Sequence, residues 1–105
     1  MDSYKLVFYV PESHLEQVKL AVFDTGAGRQ GNYEQCCWQT LGVGQFRPLA
    51  GSQPFIGTSH VLEKVAEYRV ELLCDASCLT AAVEALVRAH PYEEPAFDVI
   101  PRQSI

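Results

Sequence analysis

Between Lys5 and Val10 the side chains alternate, with Leu6, Phe8 and Val10 on one side of the chain and Lys5, Val7 and Tyr9 on the other. That period of two predicts a strand, which Pro11 closes. The spacing then changes. Leu15, Val18 and Val22 recur at helical intervals with Ala21 beside them, which predicts a helix over residues 13–25. Ser13 and Glu16 have the spacing of a capping box, and Gly26 is placed to stop the helix in left-handed geometry. A second strand is predicted over Tyr33–Leu41, with Cys36 and Cys37 on opposite faces and Trp38 on the face of Cys36. A third alternating run, Val65–Leu72, turns Ala66, Tyr68, Val70 and Leu72 inward and Glu67, Arg69 and Glu71 outward. Leu79, Val83 and Leu86, flanked by the small-residue row Ala81, Ala85 and Ala89, predict a second helix over residues 77–90, capped by Asp75 or Ser77. Pro91 disfavours helical geometry at His90, so this helix ends there, and Pro95 opens a last strand over Ala96–Ile100.

The order strand, helix, strand, strand, helix, strand predicts an α+β, ferredoxin-like βαββαβ fold with both helices on one face of an antiparallel sheet. One stretch breaks the pattern. Gly42, Gly44, Gly51 and Gly57, with Pro48 and Pro54, separate Phe46, Leu49, Phe55 and Ile56. Residues 42–57 are long for an ordinary loop and are expected to form an extra hairpin arm, with a short strand at Gln45–Arg47. Its aromatic residues have no local core and are expected to pack on another surface. At 105 residues, a single domain over 1–105 is expected.

Charge and cysteine usage narrow the classes. A formal net charge of -5, with the basic residues scattered, excludes the basic face that nucleic-acid binding favours. No apolar run approaches the ~20 residues of a membrane-spanning helix, so no membrane partner is expected. Met1-Asp2-Ser3 passes directly into a strand, which does not resemble a secretory signal. Cysteines at 36, 37, 74 and 78 are too few and too poorly spaced for a disulfide scaffold. A cytoplasmic protein with reduced thiols is expected.

The densest candidate chemistry is the turn His90-Pro91-Tyr92-Glu93-Glu94-Pro95, which gathers an imidazole, a phenol and two carboxylates. His90, Tyr92, Glu93 and Glu94 are therefore candidate ligand-binding residues. His90 and Glu93, joined by the distant His60, are the candidate ligands of a divalent metal, the one cofactor the sequence suggests. The plainer reading is that these groups cap backbone and form ion pairs at the turn. In the loop from Gly26 to Asn32, Arg29 and Asn32 are further ligand-binding candidates, because glycine-rich backbone beside a cation can cradle an anion. The loop follows a helix, however, whereas a dinucleotide fingerprint precedes one, so a tight connection is preferred. Cys74 and Cys78 straddle a strand end and a helix start and are read as core thiols. No Ser-His-Asp or Cys-His arrangement can be inferred from local spacing, so no residue is assigned as catalytic.

A family resemblance rests on four segments in order: Gly26–Gly28; Gly31-Asn32-Tyr33; the run from Gly42 to Gly57 with Phe46, Pro48, Pro54, Phe55 and Ile56; and His90–Asp98. Together they resemble the insertion domain of the Nif-three family, also known as GTP cyclohydrolase type 2 homologues or dinuclear-metal-centre proteins. The resemblance spans roughly Tyr4 to Pro101. It implies a fold similar to the CutA and PII trimers and a position as a lid on a metal-binding toroid. The family's two metals are held in its core domain by motifs including a His-x-x-His-Asp element. This chain has His14, His60 and His90 and no such element, so it resembles the lid by itself. Two functional classes are open: a non-enzymatic, self-associating regulatory module that binds a small molecule, metal ion or partner protein at subunit clefts, or a small metal-dependent hydrolase built on His60, His90, Glu93 and Glu94. The first is preferred. A homo-oligomer is expected, a trimer before a dimer.

Overall fold

The computed structural model describes residues 2–103; Met1, Ser104 and Ile105 of the expected 1–105 domain lie outside the described residues. Strand β1 (Ser3–Pro11) leads through a short 3-10 turn, Glu12–His14, into helix α1 (Leu15–Phe23). Next in the chain come strands β2 (Trp38–Phe46) and β3 (Glu63–Asp75), helix α2 (Ala76–Ala89) and strand β4 (Phe97–Arg102). The sheet order is β2-β3-β1-β4, with every neighbouring pair antiparallel. This is the expected ferredoxin-like α+β arrangement.

Register decides the two faces. Leu6, Phe8 and Val10 of β1 lie opposite Leu72, Val70 and Tyr68 of β3. Leu6, Phe8, Val10, Val70, Leu72 and Cys74 share one buried cluster with Leu15, Val18 and Val22 of α1 and Ala82 and Leu86 of α2. Both helices therefore cover the same face, and burial of these side chains is the main stabilising term. The other face carries Lys5, Val7 and Tyr9 opposite Leu73, Glu71 and Arg69. A face without helices should leave Val7 in solvent, yet it is only 1% exposed. It sits on a central strand between Glu71 and Asp98, whose long and polar side chains flank it.

The boundaries differ from expectation in informative ways. The first helix is shorter than 13–25. It begins after the 3-10 turn, and no side-chain cap bond forms at its start. Ser13 Oγ instead meets His14 Nδ1 at 2.9 Å, so the expected capping box is absent. Gly26 does take left-handed geometry, with φ +98. Asp75 is the N-cap of α2 by position, again without a side-chain bond, and His90 is extended (φ -72, ψ 138) as Pro91 requires. Within α2 the small row is displaced: Ala82 and Ala85 are buried, while Ala81 is exposed.

The second strand starts five residues later than predicted. Gln35 has φ +58, which breaks the extended chain, so Tyr33–Cys37 forms no strand and the expected division of Cys36 and Cys37 between sheet faces does not apply. In compensation β2 runs on through Gly42, Gly44 and Phe46, residues expected to belong to the hairpin arm, with its short strand at Gln45–Arg47. Its partner β3 is correspondingly longer than Val65–Leu72. The arm is thus a projecting β2–β3 hairpin: Val43–Phe46 and Glu63–Ala66 pair beyond the reach of β1, and residues 47–62 form its tip. The projection gives the molecule its 46 Å long axis. Strand β4 is shifted to Phe97–Arg102 and carries Pro101, which an edge strand tolerates. Among the described residues no helix is long and apolar enough to cross a membrane.

A candidate ligand cleft between the arm and the 90–95 turn

The end of α2 is held to the sheet by His90. Its side chain is buried, with Nε2 2.6 Å from the carbonyl oxygen of Tyr9 and Nδ1 accepting the Tyr92 backbone N–H at 3.1 Å. Accepting at Nδ1 requires the proton on Nε2, so the ring is the neutral tautomer that donates to Tyr9. Burial holds its pKa below the ordinary 6.5, with His14 adding to the shift and the Tyr9 bond opposing it. Both nitrogens are occupied by backbone. His90 thereby fixes where Tyr92 stands.

Tyr92 is the hub of the cleft. Its ring lies beside His90, Phe46 and Phe55, at centroid distances of 4.8, 6.2 and 6.5 Å. Its hydroxyl donates to Glu67 Oε2 at 3.1 Å. Burial, then the adjacent Glu67 carboxylate, pushes the phenol pKa well above its ordinary value. Glu67 reaches this position by leaning over Gly44 of the neighbouring strand, where any Cβ would collide with the carboxylate. Gly44 is therefore a close-approach glycine.

The arm's tip folds back to close the site. The Gln53 backbone N–H donates to Glu93 Oε1 at 3.1 Å, and Phe55 stacks edge-on against His14 at 5.2 Å. Phe46, Phe55 and Ile56 thus pack against a turn of their own chain, with Phe55 left 49% exposed. Between arm and turn lies a cleft of about 270 Å³, walled by Phe46, Pro48, Pro54 and Phe55 and edged by Glu67, Tyr92, Glu93 and Glu94. Of the lining residues, Tyr9, Phe46 and Glu67 belong to the sheet face away from the helices. Among the described residues no basic side chain lines the cleft.

The structure brings Tyr92, Glu93 and Glu94 together at this cleft, with His90 behind them as their support. Consecutive residues of an extended segment point to opposite sides, yet Glu93 and Glu94 both line it. Arg29 and Asn32 lie elsewhere. Arg29 edges a separate cavity of about 240 Å³ with Lys5, Cys36, Cys37 and Glu71, and its guanidinium approaches Glu34 at 3.8 Å. The glycine loop has structural work to do: the Gly28 amide donates to Leu73 O and its carbonyl accepts from Cys36 N–H, both at 2.8 Å. His60 sits at the arm's tip with its backbone tied to Pro48 and Arg47. Among the described residues no three His, Cys, Asp or Glu side chains form a group able to hold a metal ion, so His60, His90 and Glu93 are not assembled as one.

Sequence reasoning did not single out Phe46, Phe55, Pro54 or Glu67 as partners of the turn. The one sequence signal available for Glu67 is Gly42 and Gly44, side-chain-free positions on the strand that pairs beside it. The aromatic residues join only because the arm folds back.

Comparison with known proteins places this geometry. No protein-family model matches the chain. A GTP cyclohydrolase 1 type 2 homolog from Mycobacterium leprae is 47% identical over 95 residues, which is 90% of this chain and 25% of the relative. The crystal structure of a Bacillus cereus protein related to NIF3 superimposes with a TM-score of 0.84 at 40% identity, covering 98% of this chain and 26% of that one. The CutA divalent cation tolerance protein of Archaeoglobus fulgidus gives a TM-score of 0.69 at 12% identity, covering 97% of this chain and 85% of that one. For Bacillus subtilis GlnK the TM-score is 0.65 at 10% identity, over 97% and 86% of the two chains. The last two likenesses show the fold alone. The chain spans about a quarter of the length of the curated relatives it matches; over that stretch it is similar to one part of the GTP cyclohydrolase 1 type 2 homologues of the Nif-three family, and its fold is CutA- and PII-like.

Proposed function

We propose that this chain is a non-enzymatic, self-associating binding module that takes a small molecule or a group from a partner protein in the cleft between its arm and the 90–95 turn. One observation carries the reading: a cleft of about 270 Å³ that combines apolar walls with the polar groups of Glu67, Tyr92, Glu93 and Glu94. Mostly apolar concavities with a few convergent polar groups are where small ligands bind. Three carboxylates without a lining cation make the cleft electronegative, so it favours a neutral or cationic guest over a phosphorylated one.

Self-association is supported by apolar surface that the subunit leaves open. Trp38 is 59% exposed on the sheet face away from the helices, and Leu41 and Val43 are exposed on the edge strand β2. Burying ~600 Å² of such surface per subunit stabilises by roughly 15 kcal/mol gross, against substantial association costs. The resemblance to CutA and PII proteins favours a cyclic trimer, with a dimer as the alternative.

The binding claim is tested by thermal shift against neutral, cationic and phosphorylated small molecules, using the wild type and Phe55→Ala, which removes an apolar wall without adding charge. A shift produced by a neutral or cationic compound and removed by Phe55→Ala supports the reading. Shifts confined to phosphorylated compounds, or unaffected by Phe55→Ala, count against it.

A further inference from the structure

The thiols of Cys74 and Cys78 belong to no part of the cleft. Cys74 ends β3 inside the core and is 2% exposed; Cys78 lies in the first turn of α2 and is half-buried. Their sulfurs are 3.3 Å apart, and each also approaches the carbonyl oxygen of Asp75 at 3.5 Å. The sharp corner from strand to helix turns two side chains four positions apart onto each other. All four cysteines are free thiols.

We propose that Cys74 and Cys78 form an oxidation-sensitive dithiol whose modified state is an intramolecular disulfide joining the end of β3 to the first turn of α2. The sulfurs must approach by a little over 1 Å to reach the ~2.05 Å bond length, a movement within reach of side-chain rotation at Cys78. The more accessible Cys78 reacts first. As the thiolate it attacks a small disulfide oxidant such as glutathione disulfide, forming a mixed disulfide and releasing one glutathione thiolate. Cys74, having lost its proton to solvent, then attacks the Cys78 sulfur and displaces the second glutathione. Two protein thiols are oxidised to one disulfide, one glutathione disulfide is reduced to two glutathiones, and the protons balance. Burial and the neighbouring thiol push the Cys74 pKa up to about 12, so closure is the slow step and accelerates as pH rises.

The experiment incubates the native wild-type chain in glutathione redox buffers, traps free thiols by alkylation and maps tryptic peptides. Cleavage after Arg69 and Arg88 leaves Cys74 and Cys78 in one peptide, apart from Cys36 and Cys37. The expected result is a 70–88 peptide that loses two hydrogens and both alkylation sites, while the chain stays folded. The same peptide takes up one phenylarsine oxide, which bridges adjacent thiols, and Cys78→Ser abolishes both modifications. A glutathione adduct on Cys78 that never resolves, or two thiols that stay alkylatable in oxidising buffer, overturns the proposal. Failure of phenylarsine oxide to bridge the pair overturns it as well.

Discussion

The imidazole of His90 and the backbone carbonyl of Tyr9, 81 positions apart, meet at 2.6 Å, and this contact ties the last turn of α2 to the middle of the sheet. The other ring nitrogen holds the Tyr92 amide. One buried side chain thus sets the position of the whole turn. Replacing it with alanine leaves a strand carbonyl and a turn amide without partners and opens a hole beneath Tyr92. His90→Ala is expected to cost about 1–3 kcal/mol, read as a lower urea midpoint. An unchanged midpoint would show that the turn stands without it.

Because burial keeps His90 neutral, its contribution depends on pH. The folded-state pKa is lowered from 6.5, so the unfolded chain takes up a proton first as pH falls. The stability gained from the neutral ring is present above pH 6.5 and is lost progressively below it, down through the depressed folded value. Denaturation midpoints measured between pH 7.5 and 5 should fall, and His90→Gln should flatten that part of the slope. A wild-type slope identical to that of His90→Gln would assign the acid sensitivity to other groups.

Gly28 and Gly31 separate backbone conformation from packing. Both have positive φ, +82 and +58, but a Cβ at Gly28 would meet the Phe23 ring at 2.8 Å and the Cys36 carbonyl at 3.1 Å, whereas one at Gly31 meets nothing. Gly31→Ala is expected to cost about 1 kcal/mol from conformation alone. Gly28→Ala adds displacement of Phe23 and is expected to cost at least about 1 kcal/mol more. Equal losses in urea denaturation would contradict a packing role for Gly28.

Tyr92 and Glu67 form the polar wall of the cleft across 3.1 Å. In a double-mutant cycle, Tyr92→Phe and Glu67→Gln should couple by about 1 kcal/mol. Gly44→Ala, which pushes the Glu67 carboxylate aside, should remove most of that coupling while lowering stability little, since only the end of a flexible side chain moves. Strict additivity of Tyr92→Phe and Glu67→Gln would mean that the pair is not formed in solution.

The helices and the order of the sheet were legible because long amphipathic stretches carry their own period. Leu15, Val18 and Val22 face the core where that spacing put them. The second strand was misplaced for a local reason: Gln35 adopts φ +58, a conformation that a non-glycine residue does not announce. Once the strand begins at Trp38, Gly42 and Gly44 become strand residues, and their lack of side chains makes room for Glu67 instead of marking a loop. At the site, Tyr92, Glu93 and Glu94 could be found as a dense local run. Phe46, Pro54, Phe55 and Glu67 come from more than 20 positions away and join only through the folded-back arm. Contacts of that range leave no periodic trace.

Assembly has its own mutational test. Trp38→Glu places a charge on the exposed sheet face without touching the buried cluster. It should convert the oligomer to monomer by light scattering with the far-ultraviolet circular dichroism unchanged. An oligomer that persists would move the interface elsewhere.

Native mass spectrometry of untagged protein at micromolar concentration tests the binding module most directly, since one spectrum reads assembly and occupancy together. The predicted spectrum is a homo-oligomer, three copies before two, carrying a small neutral or cationic molecule that is lost in Phe55→Ala. A monomer would contradict self-association, and an assembled protein that retains no such molecule after exposure to a cell extract would contradict the cleft as a ligand site.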